Sequence, residues 1–282
     1  MHDGWIVQGF ETGQRLGAFL KTKMGAGYTA REIKRWVESN LCEVNGTIER
    51  FASSSLKAGD RVVLRQSSLA TSALPVELYS DNDLAAYDKP AGVTSEALAK
   101  QLSLHLVHRL DKDTSGVIIF AKNSKAKKAM EELFRRREVA KAYLAVVVGV
   151  PKQREGLITG YLGKIHSYQG QTVYGSVAEG KGLYAETAWR LVKNCGDTAI
   201  IACYPKTGRT HQIRIHMMEI GHPILGDYQY ARTQKSSHRP QHHLLHAWKI
   251  AFVHPITGNK VQIKAGEGTI KRLYSPILNT GY

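Results

Sequence analysis

The segment HRLDKDTSG, residues 108–116, constrains the fold more than any other because it runs straight into the apolar stretch VIIFA. Five successive apolar residues, rich in β-branched and aromatic types, require a buried strand. Asp111 is thereby drawn toward an interior where a charged carboxylate is costly unless a cation or hydrogen bonds offset its desolvation. Any fold of this chain must bring compensation to that point. Arg109 and Lys112 are the nearest cations in sequence. An aspartate held in this way stays ionised, which suits a nucleophile or an electrostatic stabiliser better than a general acid. A loop braced by structural salt bridges is the ordinary alternative.

A second concentrated segment, YPKTGRTHQIRIHM at 204–217, offers another cation. If it is helical, Thr210 and Arg214 share a face, with His211 close by. If it is extended, Thr210, Gln212, Arg214 and His216 line one face. Both remain open, and in both Arg214 is a candidate partner for Asp111, since Arg suits rigid, buried carboxylate pairing better than Lys. Arg209 and His211 flank it as candidates for binding. KAYLAVVVGV, 141–150, reads as a buried strand with Tyr143 near its start. A core tyrosine with one hydrogen bond is the ordinary reading of Tyr143, and a ring stacked on a nucleobase is the functional one.

NSKAKKAMEELFRRR, 123–137, carries Ala126, Ala129, Met130, Leu133 and Phe134 on one side of a helix. From Lys122 to Lys141 there are eight Lys/Arg against three Asp/Glu, the densest basic stretch in the chain. Basic runs are commonly solvated faces. Here Lys125, Lys128, Arg135 and Arg136 adjoin the Asp111 segment, which favours phosphate binding. The whole chain of 282 residues has a formal net charge of +15, so a polyanion is the natural partner.

No apolar run approaches the roughly 18 residues of a membrane span, and MHDGWIVQGFETG lacks the pattern of a signal peptide. Three cysteines without a CxxC argue against a disulfide framework. A cytoplasmic protein is expected. His238, His242, His243 and His246 lie near helical spacing, but neither cysteine nor HExxH accompanies them. Cations around Asp111 and Asp113 oppose a metal pair, and no Walker A or GxGxxG occurs. No metal and no cofactor are expected.

The chain divides by pattern. Residues 13–24 and 29–40 are predicted helices, the second opening on a Thr29/Glu32 capping box with Ile33, Trp36 and Val37 inward and Arg31, Lys34 and Arg35 toward solvent. LCEVNGTI, 41–48, reads as a hairpin about Asn45-Gly46, and a turn at 57–60 leads into RVVLR. SSLATSALP, 67–75, reads as a linker. Beyond it, strands are expected at 76–79 and 84–87, a short helix in SEALAKQL, turns or short hairpins in the glycine-rich 156–182, a loop at GHPILGD, and a strand in HHLLHAWKIAFVHP.

Two resemblances sharpen this reading. GQRLGAFL, the basic second helix, CEVNGTI and LKAGDRVVL resemble the S4 RNA-binding module over about residues 13–65. DKPAG (88–92), HRLDKDTSG, KAYLAVVVG, TGRTHQIRIHM, GHPILGD (221–227) and LLHAWKIAFVHP (244–255) resemble, in order, a pseudouridine synthase of the RluA type. The expected organisation is an S4-like module at 1–66, the linker at 67–75 and a catalytic domain at 76–282. The fold class implied is α+β, with a bent mixed β-sheet and a deep RNA-binding cleft.

The second resemblance also implies that Asp111 is the essential aspartate, Tyr143 the active-site tyrosine and Arg214 the arginine paired with Asp111. Arg109 would enter or brace the space left by a flipped base. The reaction breaks the N1–C1′ bond of uridine, turns the base and joins C5 to C1′, with no cofactor. Three openings are compatible with the residues: attack of Asp111 at C1′, attack at C6, or removal of the C2′ proton. Structured RNA, ribosomal in preference to transfer RNA, is the expected partner, with no membrane and no required protein partner, the chain acting as a monomer. The alternatives are a synthase acting on transfer RNA, or a catalytically silent RNA-binding or ribosome-assembly factor. The short 93–107 interval is expected to shape RNA choice.

Overall fold

Alternation of helical and strand periods in the first 65 residues produces a small α+β unit. Helices α1 (Leu16–Met24) and α2 (Ala30–Glu38) bury Leu16, Phe19, Leu20, Ile33 and Val37 in one core. Thr29 caps α2: its hydroxyl accepts from the Glu32 amide, while the Glu32 carboxylate accepts from the Thr29 amide at 2.7 Å. Trp36 is half-buried, and Arg31, Lys34 and Arg35 are exposed. The same core is closed by a four-stranded antiparallel sheet of β1 (Trp5–Ile6), β2 (Cys42–Val44), β3 (Thr47–Ile48) and β4 (Arg61–Leu64), in the order β1-β4-β2-β3. Asn45 and Gly46 take φ of 54° and 73°, the left-handed pair that a tight hairpin needs.

This computed structural model describes residues 4–25, 27–65, 75–168, 171–231, 238 and 240–266. Apart from Pro75, the expected linker lies outside the described residues. Two compact units are built, one on Met1–Ala73 with Ser167–Gln171 and the other on Leu74–His166 and Thr172–Tyr282. No helix among the described residues is long and apolar enough to cross a membrane.

Among the described residues the second unit is one 11-stranded mixed sheet with three helices. In chain order its elements are β5 (Glu77–Ser80), β6 (Leu84–Lys89), α3 (Ser95–Leu102), β7 (His105–Leu106), β8 (Ser115–Ala121), α4 (Ser124–Arg136) and β9 (Ala140–Val148). Then follow β10 (Glu155–Tyr168), β11 (Gln171–Val177), β12 (Leu183–Asn194), β13 (Thr198–Pro205), α5 (Gln212–Glu219), β14 (Leu245–Val253) and β15 (Lys260–Lys264). The strand order is β11-β10-β12-β13-β9-β14-β8-β6-β5, with β15 on β14 and β7 on β8. Each strand of the VIIFA and KAYLAVVV stretches is buried as its apolar run requires. Met130 and Ala126 of α4 pack on Val117 and Ile119 of β8, and Ile213 and Met217 of α5 on Ala145 and Val147 of β9.

One pairing has the opposite sense. β8 and β14 run parallel, meeting only at Ser115–His246 and Gly116–Ala247. Gly116 has φ of 109°, and a Cβ there would fall 2.2 Å from the Ala247 carbonyl oxygen. Only glycine lets the two strands meet, so the last residue of HRLDKDTSG sits where the sheet changes direction.

The glycine-rich 156–182 stretch corrects an expectation. It forms two long strands, β10 and β11, rather than turns or short hairpins. Its glycines serve close approach across the sheet: a Cβ on Gly156 would lie 2.8 Å from the Trp189 indole nitrogen, and one on Gly182 would lie 2.7 Å from the Leu162 carbonyl oxygen.

Candidate active site

Asp111 lies just before the parallel seam, in a loop fastened on both flanks. Downstream, three successive residues are held by histidines from the chain entering β14. His242 Nδ1 lies 3.1 Å from Asp113 Oδ1, His243 Nε2 lies 2.8 Å from Thr114 Oγ1, and His246 Nδ1 lies 2.9 Å from Ser115 Oγ. Of the histidines considered as a helical zinc set, His242, His243 and His246 therefore lie on a loop and a strand and brace this segment, while His238 lies 3.8 Å from Asp197. Among the described residues no cluster of three metal-ligating side chains forms. On the upstream flank the Ser95 hydroxyl donates to the Leu110 carbonyl and accepts from its amide, both at 3.0 Å. Directly after Asp111 the wholly buried Lys89 donates to the carbonyls of Pro90 (3.0 Å), Val93 (2.7 Å) and Lys112 (3.0 Å). All three ammonium protons are used. Burial, partly offset by Asp113 and Asp111, pushes its pKa down to about 8.

The cation expected for Asp111 comes from α5, so the 204–217 segment resolves as a turn followed by a helix, with His211 at its N-cap in a left-handed conformation (φ 57°). Arg214 Nη1 donates to Asp111 Oδ2 at 3.2 Å. Its stronger partner is Asp227, which accepts from Nε at 2.6 Å and from Nη2 at 3.0 Å in a two-pronged pair. Gln229 Oε1 accepts a further Nη2 bond at 3.2 Å, and the Tyr230 ring lies 4.9 Å from the guanidinium carbon.

The electrostatics follow from this order. Burial is the largest single influence on Asp111 and acts to raise its pKa, but the lowering influences, led by the Arg214 charge, together prevail and the net shift is downward. Asp227 is lowered further by the same contest. Burial, aided by Arg214, pushes His211 down to about 4. His211 is thus neutral near pH 7, and its Nε2, 3.9 Å from Asp111 Oδ2, adds no cation. Nor does Arg109: its guanidinium turns away to Glu96 at 3.2 Å. Its expected service to Asp111 is corrected, because neighbours along an irregular loop point apart.

Asp111 keeps 27% of its side-chain surface exposed, and that surface faces a cavity of about 760 Å³. Such a volume suits a ligand the size of a nucleotide. Tyr143 of β9 lines it too, in register with Ala247, itself opposite Gly116. Burial, reinforced by the Asp111 charge, raises the Tyr143 pKa, so the phenol stays protonated. Arg109, Arg135, Arg209 and His211 also line the cavity, joining Asp111, Tyr143 and Arg214 there. Arg136 does not; it pairs with Glu132 on the outer side of α4, where Lys125 and Lys128 are exposed. Arg31, Lys34 and Arg35 belong to the other unit.

The RNA pseudouridylate synthase family signature matches residues 83–219, which span the Asp111, Tyr143 and Arg214 elements. A ribosomal large subunit pseudouridine synthase C of Buchnera aphidicola subsp. Schizaphis graminum is 34% identical over 286 residues, covering 89% of this chain and 90% of that protein. The chain belongs to the RNA pseudouridine synthase family. The dual-specificity RNA pseudouridine synthase RluA of Escherichia coli O6:H1 is 36% identical over 207 residues, covering 67% of the present synthase and 92% of that one. Human RNA pseudouridylate synthase domain containing 1 superposes with a TM-score of 0.61 at 27% identity, covering 71% of this synthase and 86% of that chain.

Sequence reasoning on this synthase missed Asp227, Lys89 and His243. The signal for Asp227 was present. An arginine inside the apolar QIRIHMM helix has five N–H donors, more than one aspartate can accept, and GHPILGD, just beyond the helix, holds an acid 13 residues along the chain. No local signal exposes Lys89, whose three acceptors are carbonyls defined only by the folded loop.

Proposed function

We propose that this isomerase converts uridine to pseudouridine in structured ribosomal RNA, with Asp111 acting on the target nucleotide inside the cavity. The observation that carries the reading is the partly exposed Asp111 carboxylate, kept ionised by Arg214. Attack at C1′, attack at C6 and removal of the C2′ proton all require an ionised carboxylate, and the Asp227–Arg214 pair supplies the conditions for one. Tyr143, protonated beside Asp111, would stack on the base and relay the proton that leaves C5. The reaction is an isomerisation: N1–C1′ breaks, C5–C1′ forms, and one proton moves from C5 to solvent while N1 gains one.

The target base must leave its stack, at a cost of a few kcal/mol that is smallest in unpaired loops. Arg109, Arg135, Arg209 and His211 on the cavity wall hold the flipped nucleotide and its neighbours. Lys125, Lys128 and Arg136 extend the basic surface along α4. The N-terminal unit, residues 1–66, is read as an S4-like module that grips structured RNA through the exposed Arg31, Lys34 and Arg35 of α2. Ribosomal RNA is favoured because relatives carry ribosomal large subunit names, and the cytoplasm is where such RNA is met.

The test is tritium release from RNA labelled at uridine C5, prepared without the modification. Release by wild type and none by Asp111→Asn is expected. Release by Asp111→Asn would remove Asp111 from its role, and binding without release by wild type would favour an assembly factor.

A further inference from the structure

Most cations around the cavity are answered by acids. Arg135 pairs with Glu132, Lys206 with Glu186 at 3.5 Å, Arg109 with Glu96, and Arg214 with two aspartates. Arg137, Lys141 and Arg209 line the same cavity, yet no carboxylate pairs with any of them among the described residues. They come from three different elements: the left-handed C-cap of α4, the start of β9, and the loop between β13 and α5.

Two of the three are fixed by one donor each, leaving the rest free. Lys141 Nζ donates to the Thr207 carbonyl at 3.1 Å, and Arg209 Nε donates to the Tyr184 carbonyl at 2.9 Å. Both Arg209 amino groups and two Lys141 protons remain. Gathering like charges in a partly buried place is unfavourable on its own. Burial and the neighbouring Arg209 push Lys141 down to about 8, and burial with Arg137 lowers Arg209. Such an arrangement gains most from an anion that accepts several hydrogen bonds at once.

We propose that Arg137, Lys141 and Arg209 form a phosphate clamp that takes the backbone phosphodiester beside the target uridine. The clamp rests on the reading of Asp111 as the group that acts on that uridine, because both line one cavity. Phosphate contacts position a nucleic acid without reading its sequence. Held from one wall by its phosphate, the nucleotide presents its sugar and base to Asp111 on the other. The clamp therefore fixes where the reacting carbon lies, whichever RNA carries it.

The test uses the whole enzyme and an RNA hairpin that it converts, with uncharged methylphosphonate linkages introduced singly around the target. One linkage adjoining the target is expected to lower wild-type kcat/KM by about tenfold or more, and by less than about twofold in Lys141→Gln or Arg137→Gln. Each variant should also lose about one unit of slope in log affinity against log salt. Arg137→Gln guards against a folding artefact, because that side chain is exposed and unpaired. Losses that are equal at every linkage, or that add in full in both variants, overturn the clamp. A wild type that releases no tritium from any RNA overturns instead the reading on which it rests.

Discussion

The two walls of the cavity handle charge in opposite ways. On the Asp111 wall the charges are matched inside the protein: Arg214 is 5% exposed and Asp227 1%, joined by two hydrogen bonds, and Asp111 accepts a further one from Nη1. On the Arg209 wall, three cations line the same space with no carboxylate paired to them among the described residues. The paired wall is complete before substrate arrives and spends no reorganisation during reaction. The unpaired wall is completed by the substrate. The contrast separates residues whose loss damages the chemistry and the fold from those whose loss weakens binding.

The largest expected effect tests the paired wall. Asp111→Asn keeps the shape of the carboxylate and removes its charge, and tritium release should fall by more than about 10³-fold with RNA binding retained. Next, Arg214→Met strands two aspartates in the interior. Thermal or denaturant unfolding should report a loss of about 3–5 kcal/mol, together with loss of turnover. Normal stability in that variant would show that the pair is not what compensates Asp111.

Asp227→Asn probes orientation with less damage. Arg214 would keep its place but lose its charged partner, and kcat should drop by about 10–100-fold with KM little changed, as for groups that orient a reactive one. A rise in KM alone would move Asp227 to the binding side of the comparison. The mildest contrast uses adjacent residues of α4. Arg137→Gln should reduce the salt slope of RNA affinity by about one unit, and Arg136→Gln, already paired with Glu132, by less. Equal slopes would erase the distinction between paired and unpaired cations.

Acid stability sharpens the same picture. Burial pushes His211, His216 and His243 down to about 4. Between the unfolded value of 6.5 and about 4, the unfolded chain binds protons that the folded chain refuses. Stability must therefore fall as pH falls through that window. Asp111 and Asp227, with lowered folded values, stabilise the fold above the ordinary carboxylate range, and their contribution is lost only as pH drops below it. Tm measured from pH 7 to pH 4 should decline by on the order of 10 °C. A flat profile would mean that these histidines titrate in the folded state as they do in the unfolded one.

Much of this protein could be read without its tertiary structure. The strands of VIIFA and KAYLAVVV, the two N-terminal helices with their Thr29/Glu32 cap, the helix over 124–136 and the need for a cation beside Asp111 all follow from local pattern and desolvation. These are properties of short windows, where period, capping and charge act within a turn or two of chain. The assignment of Arg214 to Asp111 could be guessed from residue type, though the helix that carries it could not be told from a strand.

What tertiary structure decided is how distant segments meet. The three histidines on residues 113–115 depend on β14 lying parallel to β8 at Gly116. Asp227 as the stronger partner of Arg214 depends on the loop after α5 folding back on the helix, and Lys89 capped by three carbonyls on β6 lying beside β8. The glycines of β10 and β11 likewise have a size that matters only because side chains of neighbouring strands pack against them. Window-scale patterns carry the identity of an element and its buried face. They carry no record of which donor faces which acceptor across a hundred residues, because that pairing is set by the cost of leaving a buried polar group unanswered once the sheet has closed.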